Sequence, residues 1–287
     1  MPELPEVETI ARGVDERLRG DRIVEAWFGS HKEPFKTSPA AQARGLENRV
    51  ILNVQRVGKH IVCRLGDRSE GPVPTGPVTA EWIVHLGMTG RLLVTTPDAE
   101  VVPHTHARLR LLSGRELRFV DPRRFGRLEL LELKRLKGET AFTGQFKGPG
   151  SEPTTISEDD FAKLFRNRRL AIKAALLNQK LLHGVGNIYA DESLFRAGIR
   201  PNRMAGRLKR EELNRLRIAL QEVLQHAIQL GGSSVSDYVD ANGVRGFFQL
   251  EHRVYMRTGE PCLVCGTPIR RILLAGRGTH YCLNCQH

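Results

Sequence analysis

VILNVQRVGKHIVCRL, residues 50–65, reads as two short strands on either side of the turn signal Val57-Gly58. The same texture extends from about residue 23 to residue 131. Further strand-like stretches follow at Trp82–Leu86, Arg91–Thr95, Ala107–Leu112, Glu116–Val120 and Arg127–Leu133. Several short strands at such spacing predict a β-sandwich or a barrel.

A helix is predicted before these strands. Its apolar residues fall at helical spacing and form one stripe: Val7, Ile10, Val14 and Leu18. Pro5 suits the first turn of such a helix. We therefore expect an α+β multidomain protein whose first domain, residues 1–142, packs this helix on a β-sandwich.

The second half of the sequence has a helical texture. Residues 143–155 hold few apolar side chains and several Gly and Pro, so we expect a linker there. Beyond it, helices are predicted from Ser157, at Ile172–Leu177, at Asn187–Arg196 and from about 208 to 230. A hairpin punctuated by Gly and Cys follows. We expect a helical domain at 156–250 and a hairpin domain at 251–287.

The charge balance indicates an anionic partner. The formal net charge is +12 and the pI is about 9.9, which favour nucleic acid first and a membrane surface second. A basic enzyme without such a partner remains the alternative. No run of about 18 apolar residues and no secretory signal is found, so we expect a cytoplasmic protein that does not enter a membrane.

Four of the five cysteines are spaced as metal ligands. Cys262 and Cys265 form one CxxC pair, Cys282 and Cys285 form another, and 16 residues separate the pairs. This spacing predicts one structural Zn²⁺ in a closed four-thiolate site, which leaves no position for a substrate. Disulfides or a redox pair are the alternatives, and a reducing compartment disfavours both. Cys63 lies in a predicted strand, where we expect a small buried side chain.

An arginine is expected at the tip of the hairpin between the two pairs. Arg277 lies between Gly276 and Gly278, and its planar guanidinium can reach a phosphate from such a tip. An ordinary solvated turn residue is the alternative.

A glycine turn opens the third predicted helix. Gly184-Val185-Gly186-Asn187 would present backbone N–H groups and a helix start to an anion, for which we expect a DNA phosphate. Basic side chains precede the turn: Arg166, Arg168, Arg169 and Lys173. A tight helix–helix connection beside a solvated basic face is the alternative.

The N-terminus offers a nucleophile. Removal of Met1 would leave a secondary amine on Pro2, and an α-amino group titrates near pH 8 against about 10.4 for lysine. Attack on a sugar carbon would form an iminium that serves as an electron sink. Glu3 is placed to move protons. On the residues alone, a Pro-Glu pair that merely starts a helix is the favoured explanation, because such pairs are common for capping and dipole reasons.

Several motifs together resemble the bacterial formamidopyrimidine-DNA glycosylase family. They occur in order along the chain: MPELPEVET, HLGMTG, DPRRFG, GVGNIYADESLFRAGI, GGSSVSDYVDANGVRGFFQ and GEPCLVCGTPI. The resemblance implies an N-terminal helix with a β-sandwich, a helix–two-turn–helix bundle and a zinc hairpin. It also implies excision of oxidised purines (8-oxoguanine and formamidopyrimidines) from duplex DNA, with β,δ-elimination at the abasic site by a monomeric enzyme.

The resemblance carries roles onto single residues. It makes Pro2 the Schiff-base nucleophile, Glu3 the catalytic carboxylate and Lys59 a proton donor in elimination. Glu6 would line the same pocket.

It also implies the contacts with DNA. Met88, Arg123 and Phe125 would fill the gap that the flipped nucleotide leaves, with core packing as the alternative for Met88 and Phe125. The residues implied at phosphates are Lys173, Asn187, Arg277 and His104. His106 belongs to the same histidine pair, and either histidine fits a plain surface residue as well.

Two further segments stand out in the sequence, and two alternative functions are disfavoured. Residues 68–77 look like a surface insertion, and the Gly-rich stretch 232–248 resembles a loop that covers the extruded purine, which we expect to be mobile. An endonuclease VIII-like enzyme for oxidised pyrimidines is disfavoured by Leu4, where that branch typically has Gly. A non-catalytic nucleic-acid-binding protein would leave MPELPE and Lys59 unexplained.

Overall fold

The computed structural model describes residues 2–31, 34–67, 76–135, 142–234 and 238–287, which form two units. The first unit contains Pro2, the described part of Glu6–Lys147 and that of Ser233–Gly246. The second contains Glu3–Pro5, Gly148–Gly232 and Phe247–His287. The predicted insertion at 68–77 lies outside the described residues, except for its last two positions.

The first unit holds two helices and most of the strands. Its helices are α1 (Leu4–Leu18, whose first residues belong to the second unit) and α2 (Pro39–Leu46). Its strands are β1 (Ile23–Phe28), β2 (Val50–Val57), β3 (His60–Gly66), β4 (Ala80–His85), β5 (Arg91–Thr95), β6 (Thr105–Leu111), β7 (Glu116–Val120), β8 (Arg127–Glu132), β9 (Lys134–Arg135) and β10 (Phe142–Thr143).

Two four-stranded antiparallel sheets form the predicted β-sandwich. The strand orders are β1-β6-β7-β5 and β2-β3-β4-β8. The apolar stripe of α1 is fully buried in the same core as Trp82 and Phe119. Cys63 is buried there too, as expected, and burial raises the pKa of its thiol to about 12. The helix and the sandwich are thus confirmed.

Helix α2 is an element that the sequence analysis missed. Its start signal is present, because Ser38 accepts a hydrogen bond from the N–H of Ala41 at 3.3 Å and Pro39 occupies the first turn. Gln42 on this helix is buried. It accepts a hydrogen bond from the indole N–H of Trp82 at 2.9 Å and donates to the carbonyl of Thr37 at 2.8 Å.

The second unit is mostly helical. It contains α3 (Glu158–Phe165), α4 (Ile172–Leu176), α5 (Asn187–Ala197), α6 (Arg210–Gln229), two short 3₁₀ helices (Ala205–Arg207 and Phe248–Glu251) and the hairpin β11 (Arg270–Leu274) with β12 (Arg277–Tyr281). The four predicted helices and the hairpin are all present. Ser157 caps α3 by accepting from the N–H of Asp160 at 3.2 Å, as its spacing predicted. Among the described residues, no helix has the length and apolarity to cross a membrane.

Replacing Gln42 with Leu tests how α2 is fixed to the core. Leu cannot accept from the Trp82 indole, so a buried donor loses its partner and the free energy of unfolding falls by about 1–3 kcal/mol. Arg44→Leu, on an exposed position of the same helix, is the matched control. Urea unfolding of both variants measures the difference, and equal stabilities would contradict the assigned hydrogen bond.

Candidate functional site

The N-terminus of α5 holds the carboxylate of Glu3. Oε1 of Glu3 accepts the N–H of Ile188 at 3.2 Å, and Oε2 accepts the N–H of Tyr189 at 3.5 Å. The capping residue Gly186 has no side chain to satisfy these donors. A Cβ at that position would lie 2.1 Å from Cδ of Glu3, so only glycine leaves room for the carboxylate. An anion at this place is stabilised by the positive end of the helix dipole.

The expectation that this glycine turn binds a DNA phosphate is therefore wrong about the anion. The first-turn amides of α5 receive the chain's own carboxylate. The carbonyl of Gly184 accepts the N–H of Leu4 at 3.0 Å, which fixes the residue next to Glu3. The turn thus positions an acidic side chain.

The other residues predicted for the catalytic pocket, Pro2, Glu6 and Lys59, lie in the first unit. Pro2 is partly buried just before α1. Glu6 is 2% exposed on α1, and its Oε1 accepts the N–H of Ser233 at 2.7 Å. Lys59 occupies the two-residue turn between β2 and β3, where Gly58 has a φ of +62°.

The segment that begins at Tyr238 is attached to the first unit. Tyr238 and Ala241 are buried in its core, and the Tyr238 hydroxyl donates to the carbonyl of Glu6 at 3.4 Å. The N–H of Val94 donates to the carbonyl of Ala241 at 3.0 Å, and Arg17 binds Asn242 at 2.5 Å. The middle of the predicted covering loop, residues 238–242, is therefore anchored to the first unit. Residues 235–237 of that loop lie outside the described residues.

Two loops present the predicted wedge side chains. Met88, in the loop between β4 and β5, is 42% exposed, and Phe125, between β7 and β8, is 49% exposed. The Arg123 guanidinium carbon lies 4.7 Å from the centre of the Phe125 ring. Large apolar side chains at this exposure are not core residues, so the core-packing alternative is excluded.

The two predicted histidines differ in exposure. His104 is exposed and has a φ of +66°, an uncommon conformation for a residue with a side chain. His106 is buried, and its Nε2 lies 3.0 Å from the carbonyl oxygen of Asp121. His106 is thus neither a surface residue nor open to DNA. Its ring supports the turn after β7.

Lys173 and Asn187 converge on the backbone of β12. Nζ of Lys173 and Nδ2 of Asn187 donate to the carbonyl of Gly278 at 3.1 Å and 3.0 Å. Lys173 also forms a 2.7 Å ion pair with Asp191. The side chain is fully buried, and burial lowers the pKa of its ammonium while Asp191 opposes that shift. The ammonium group for which the resemblance implies a phosphate contact is therefore buried in an ion pair.

Arg277 is exposed next to the tip of the hairpin. The turn itself is Ala275-Gly276, with φ values of +50° and +73°, and Arg277 is the first residue of β12. The tip is thus one residue earlier than predicted. Its side chain is still exposed at the free end of the hairpin.

Two buried acidic residues on α5 were not predicted from the sequence. Asp191 pairs with Lys173 and accepts the N–H of His280 at 2.9 Å. Glu192 accepts three backbone N–H groups, from Arg253, Val254 and Tyr255, at 2.8–3.0 Å. Burial raises the pKa of Glu192, and these donors oppose the shift. Their spacing gave no signal, because α5 also contains the polar residues Asn187, Ser193 and Arg196.

The four spaced cysteines form the predicted metal site. Their sulfur atoms all lie within 4.8 Å of one another, with 3.8 Å between Cys262 and Cys285 and 3.4 Å between Cys265 and Cys282. A tetrahedral site with Zn–S bonds of about 2.3 Å requires sulfur separations near 3.8 Å. No disulfide joins these four residues. The donor set therefore fits one structural zinc.

Loss of one thiolate is expected to release the metal. Cys265→Ala leaves three ligands, so the zinc content of the purified protein falls well below the value of about one per chain expected for the unmodified chain. Cys63→Ala, in β3 of the first unit and not one of the four ligands, is the control and keeps its zinc. Elemental analysis of both variants measures this. An unmodified chain without zinc, or full content in Cys265→Ala, would contradict the site.

Comparison with known proteins agrees with these features. Family profiles match three segments: the formamidopyrimidine-DNA glycosylase N-terminal domain at residues 1–128, the H2TH domain of the same enzymes at 148–239, and a zinc finger found in FPG and IleRS at 259–287. A formamidopyrimidine-DNA glycosylase from Solibacter usitatus is 45% identical over 286 residues, which cover all of this chain and 99% of that protein.

Solved structures show the same similarity. A MutM (Fpg) protein from Thermus thermophilus is 39% identical with a TM-score of 0.81, covering 99% of this chain and 98% of that one. Lactococcus lactis Fpg in complex with DNA containing an abasic site is 34% identical with a TM-score of 0.83, covering 99% of both chains. The chain belongs to the formamidopyrimidine-DNA glycosylase family.

Proposed function

We propose that this chain is a DNA glycosylase that excises oxidised purines from duplex DNA and then cleaves the strand at the resulting abasic site. The observation that carries the proposal is the carboxylate of Glu3, held by the α5 amides directly beside Pro2 in the sequence. Relatives of the same length are named formamidopyrimidine-DNA glycosylase, and structures of relatives have been solved in complex with damaged DNA.

Pro2 acts as the nucleophile in this proposal, which requires that Met1 is removed. The free amine attacks C1′ of the damaged nucleotide and loses its proton, and the base leaves with its bonding electrons and takes up a proton. The nitrogen lone pair then opens the C1′–O4′ bond, and O4′ takes up a proton as the sugar ring opens. The resulting iminium stays positively charged and accepts the electron pair when the C2′ proton is lost, so the 3′ phosphate is eliminated. A second elimination then removes the 5′ phosphate.

Acidic and basic side chains carry out the proton transfers. Glu3 serves the sugar and the leaving base, and a positioned acid–base group of this kind contributes about 10²–10⁴-fold to a rate. Lys59, on the tight turn after β2, donates protons during elimination. Glu6 lines the base pocket, where its carboxylate is already fixed by Ser233.

The wedge and the basic side chains hold the opened duplex. A base inside the stack is out of reach, and the exposed Met88, Arg123 and Phe125 occupy the gap that the flipped nucleotide leaves. His104 and Arg277 contact phosphates from exposed positions. Asn187 and Lys173 support this contact through the backbone of β12 next to Arg277. The chain acts as a monomer in the cytoplasm and does not bind a membrane.

A second candidate is excision of oxidised pyrimidines. Lactococcus lactis Fpg has been solved with DNA containing an oxidised pyrimidine, and that structure covers this whole chain at 34% identity. Leu4 and the purine-covering segment favour purines as the main substrate. The test therefore includes both classes of lesion.

Borohydride trapping on a duplex with 8-oxoguanine opposite cytosine tests the proposal. Reduction of the iminium is expected to join the DNA to the peptide that starts at residue 2. A matched control carries a permanent N-terminal extension, which blocks the amine but leaves every side chain in place, and it should form no adduct.

The outcomes separate the parts of the proposal. An adduct on Lys59 or another lysine would overturn Pro2 as the nucleophile. An adduct only with an oxidised pyrimidine would establish the second candidate. Absence of an adduct with either lesion would overturn the glycosylase and lyase chemistry together.

A further inference from the structure

A buried carboxylate lies beneath both wedge loops. Asp121 is fully buried and follows directly after β7. It is the first residue of the loop 121–126 that carries Phe125, and it contacts the loop 86–90 that carries Met88. The proposed chemistry does not use this carboxylate. The carboxylate does not contact DNA either, because no part of the side chain is exposed. A buried charge of this kind is costly unless its hydrogen bonds are satisfied.

The carboxylate is shared between the two loops. Oδ1 of Asp121 accepts the hydroxyl of Thr89 at 2.7 Å, from the Met88 loop. Oδ2 accepts the N–H of Gly126 at 2.8 Å, and Oδ1 also accepts the N–H of Arg123 at 3.3 Å, both from the Phe125 loop. These donors are neutral groups of two separate chain segments.

The loops are also packed against each other by shape. Gly87 has a φ of +62°, and a Cβ there would lie 2.4 Å from the carbonyl carbon of Phe125 and 2.5 Å from the nitrogen of Gly126. The two backbones therefore touch directly behind the exposed side chains. Any change in the distance between the loops changes the separation of Met88 and Phe125.

The backbone of Asp121 extends this link to the histidines. Its N–H donates to the carbonyl of His104 at 3.0 Å, and its carbonyl oxygen lies 3.0 Å from Nε2 of His106. The exposed His104, for which we propose a phosphate contact, is thus fixed to the same residue as the wedge.

We propose that Asp121 is the positioning residue that joins the two loops into one rigid wedge, so that Met88 and Phe125 enter the duplex together. The inference rests on the proposed function. Asp121 acts through its partners and does not touch DNA. Preformed geometry of this kind lowers the cost of inserting the wedge, since the loops need not be ordered at that moment.

Two substitutions of different severity test this. In Asp121→Asn one oxygen becomes an amide donor, which faces either the N–H of Gly126 or that of Arg123, so a buried backbone donor loses its acceptor. Thr89→Val removes only the link between the loops, and Thr89→Ser is the matched control that keeps the hydroxyl. Thermal melting of each variant reports whether the fold is retained.

The readouts separate wedge insertion from chemistry. One is the fluorescence of 2-aminopurine next to the lesion in duplex DNA, which rises when the base unstacks. The others are the rate of 8-oxoguanine excision in duplex DNA and the rate of cleavage at a preformed abasic site in single-stranded DNA, where no stack has to be opened.

Asp121→Asn and Thr89→Val are expected to lose the fluorescence rise and about tenfold or more of duplex excision, since each variant loses a buried hydrogen bond that holds the two loops in place. Single-strand cleavage should stay near the unmodified level, and Thr89→Ser should behave as the unmodified chain. Normal unstacking and excision in Thr89→Val, or equal losses on both substrates, would overturn the inference. An unmodified chain that excises nothing would instead overturn the proposed function.

Discussion

A helix that starts at a glycine has no side chain of its own to satisfy its first amides, and α5 is in this position at Gly186. The carboxylate of Glu3, from a distant part of the sequence, supplies the missing acceptor. The same contact fixes the beginning of the chain in the second unit, because Leu4 donates to Gly184 and is buried in the core of that unit. The proposed chemistry depends on it, since it sets the place of the acidic group next to Pro2.

Buried charges perform similar positioning elsewhere in the described residues. Asp191 holds Lys173 beneath β12, and Asp121 holds the two wedge loops. In each case the carboxylate accepts hydrogen bonds from segments far apart in sequence, so removal of one partner leaves a buried charge with fewer donors. The exposed side chains nearby, such as Arg277 and Phe125, gain their fixed places from these buried partners.

The sequence predicted the features that depend on local pattern. The stripe of α1, the cap at Ser157 and the spacing of the cysteines each rest on neighbouring residues. Tertiary partners were not predictable in this way. The glycine turn before α5 was correctly located, but its anion is Glu3, and the burial of Lys173 against Asp191 was not predicted. Helix α2 was missed despite its Ser-Pro start, because its eight residues are too few for a clear helical period.

The rate of 8-oxoguanine release by Gly186→Ala tests most directly whether the α5 terminus positions the catalytic carboxylate. A Cβ at this position would displace Glu3, whereas at Gly76, which serves as the control, an added Cβ meets no atom within 4 Å. Our account predicts that Gly186→Ala loses about 100-fold or more in base release while Gly76→Ala keeps the unmodified rate. Equal rates in the two variants, with both folded, would contradict it.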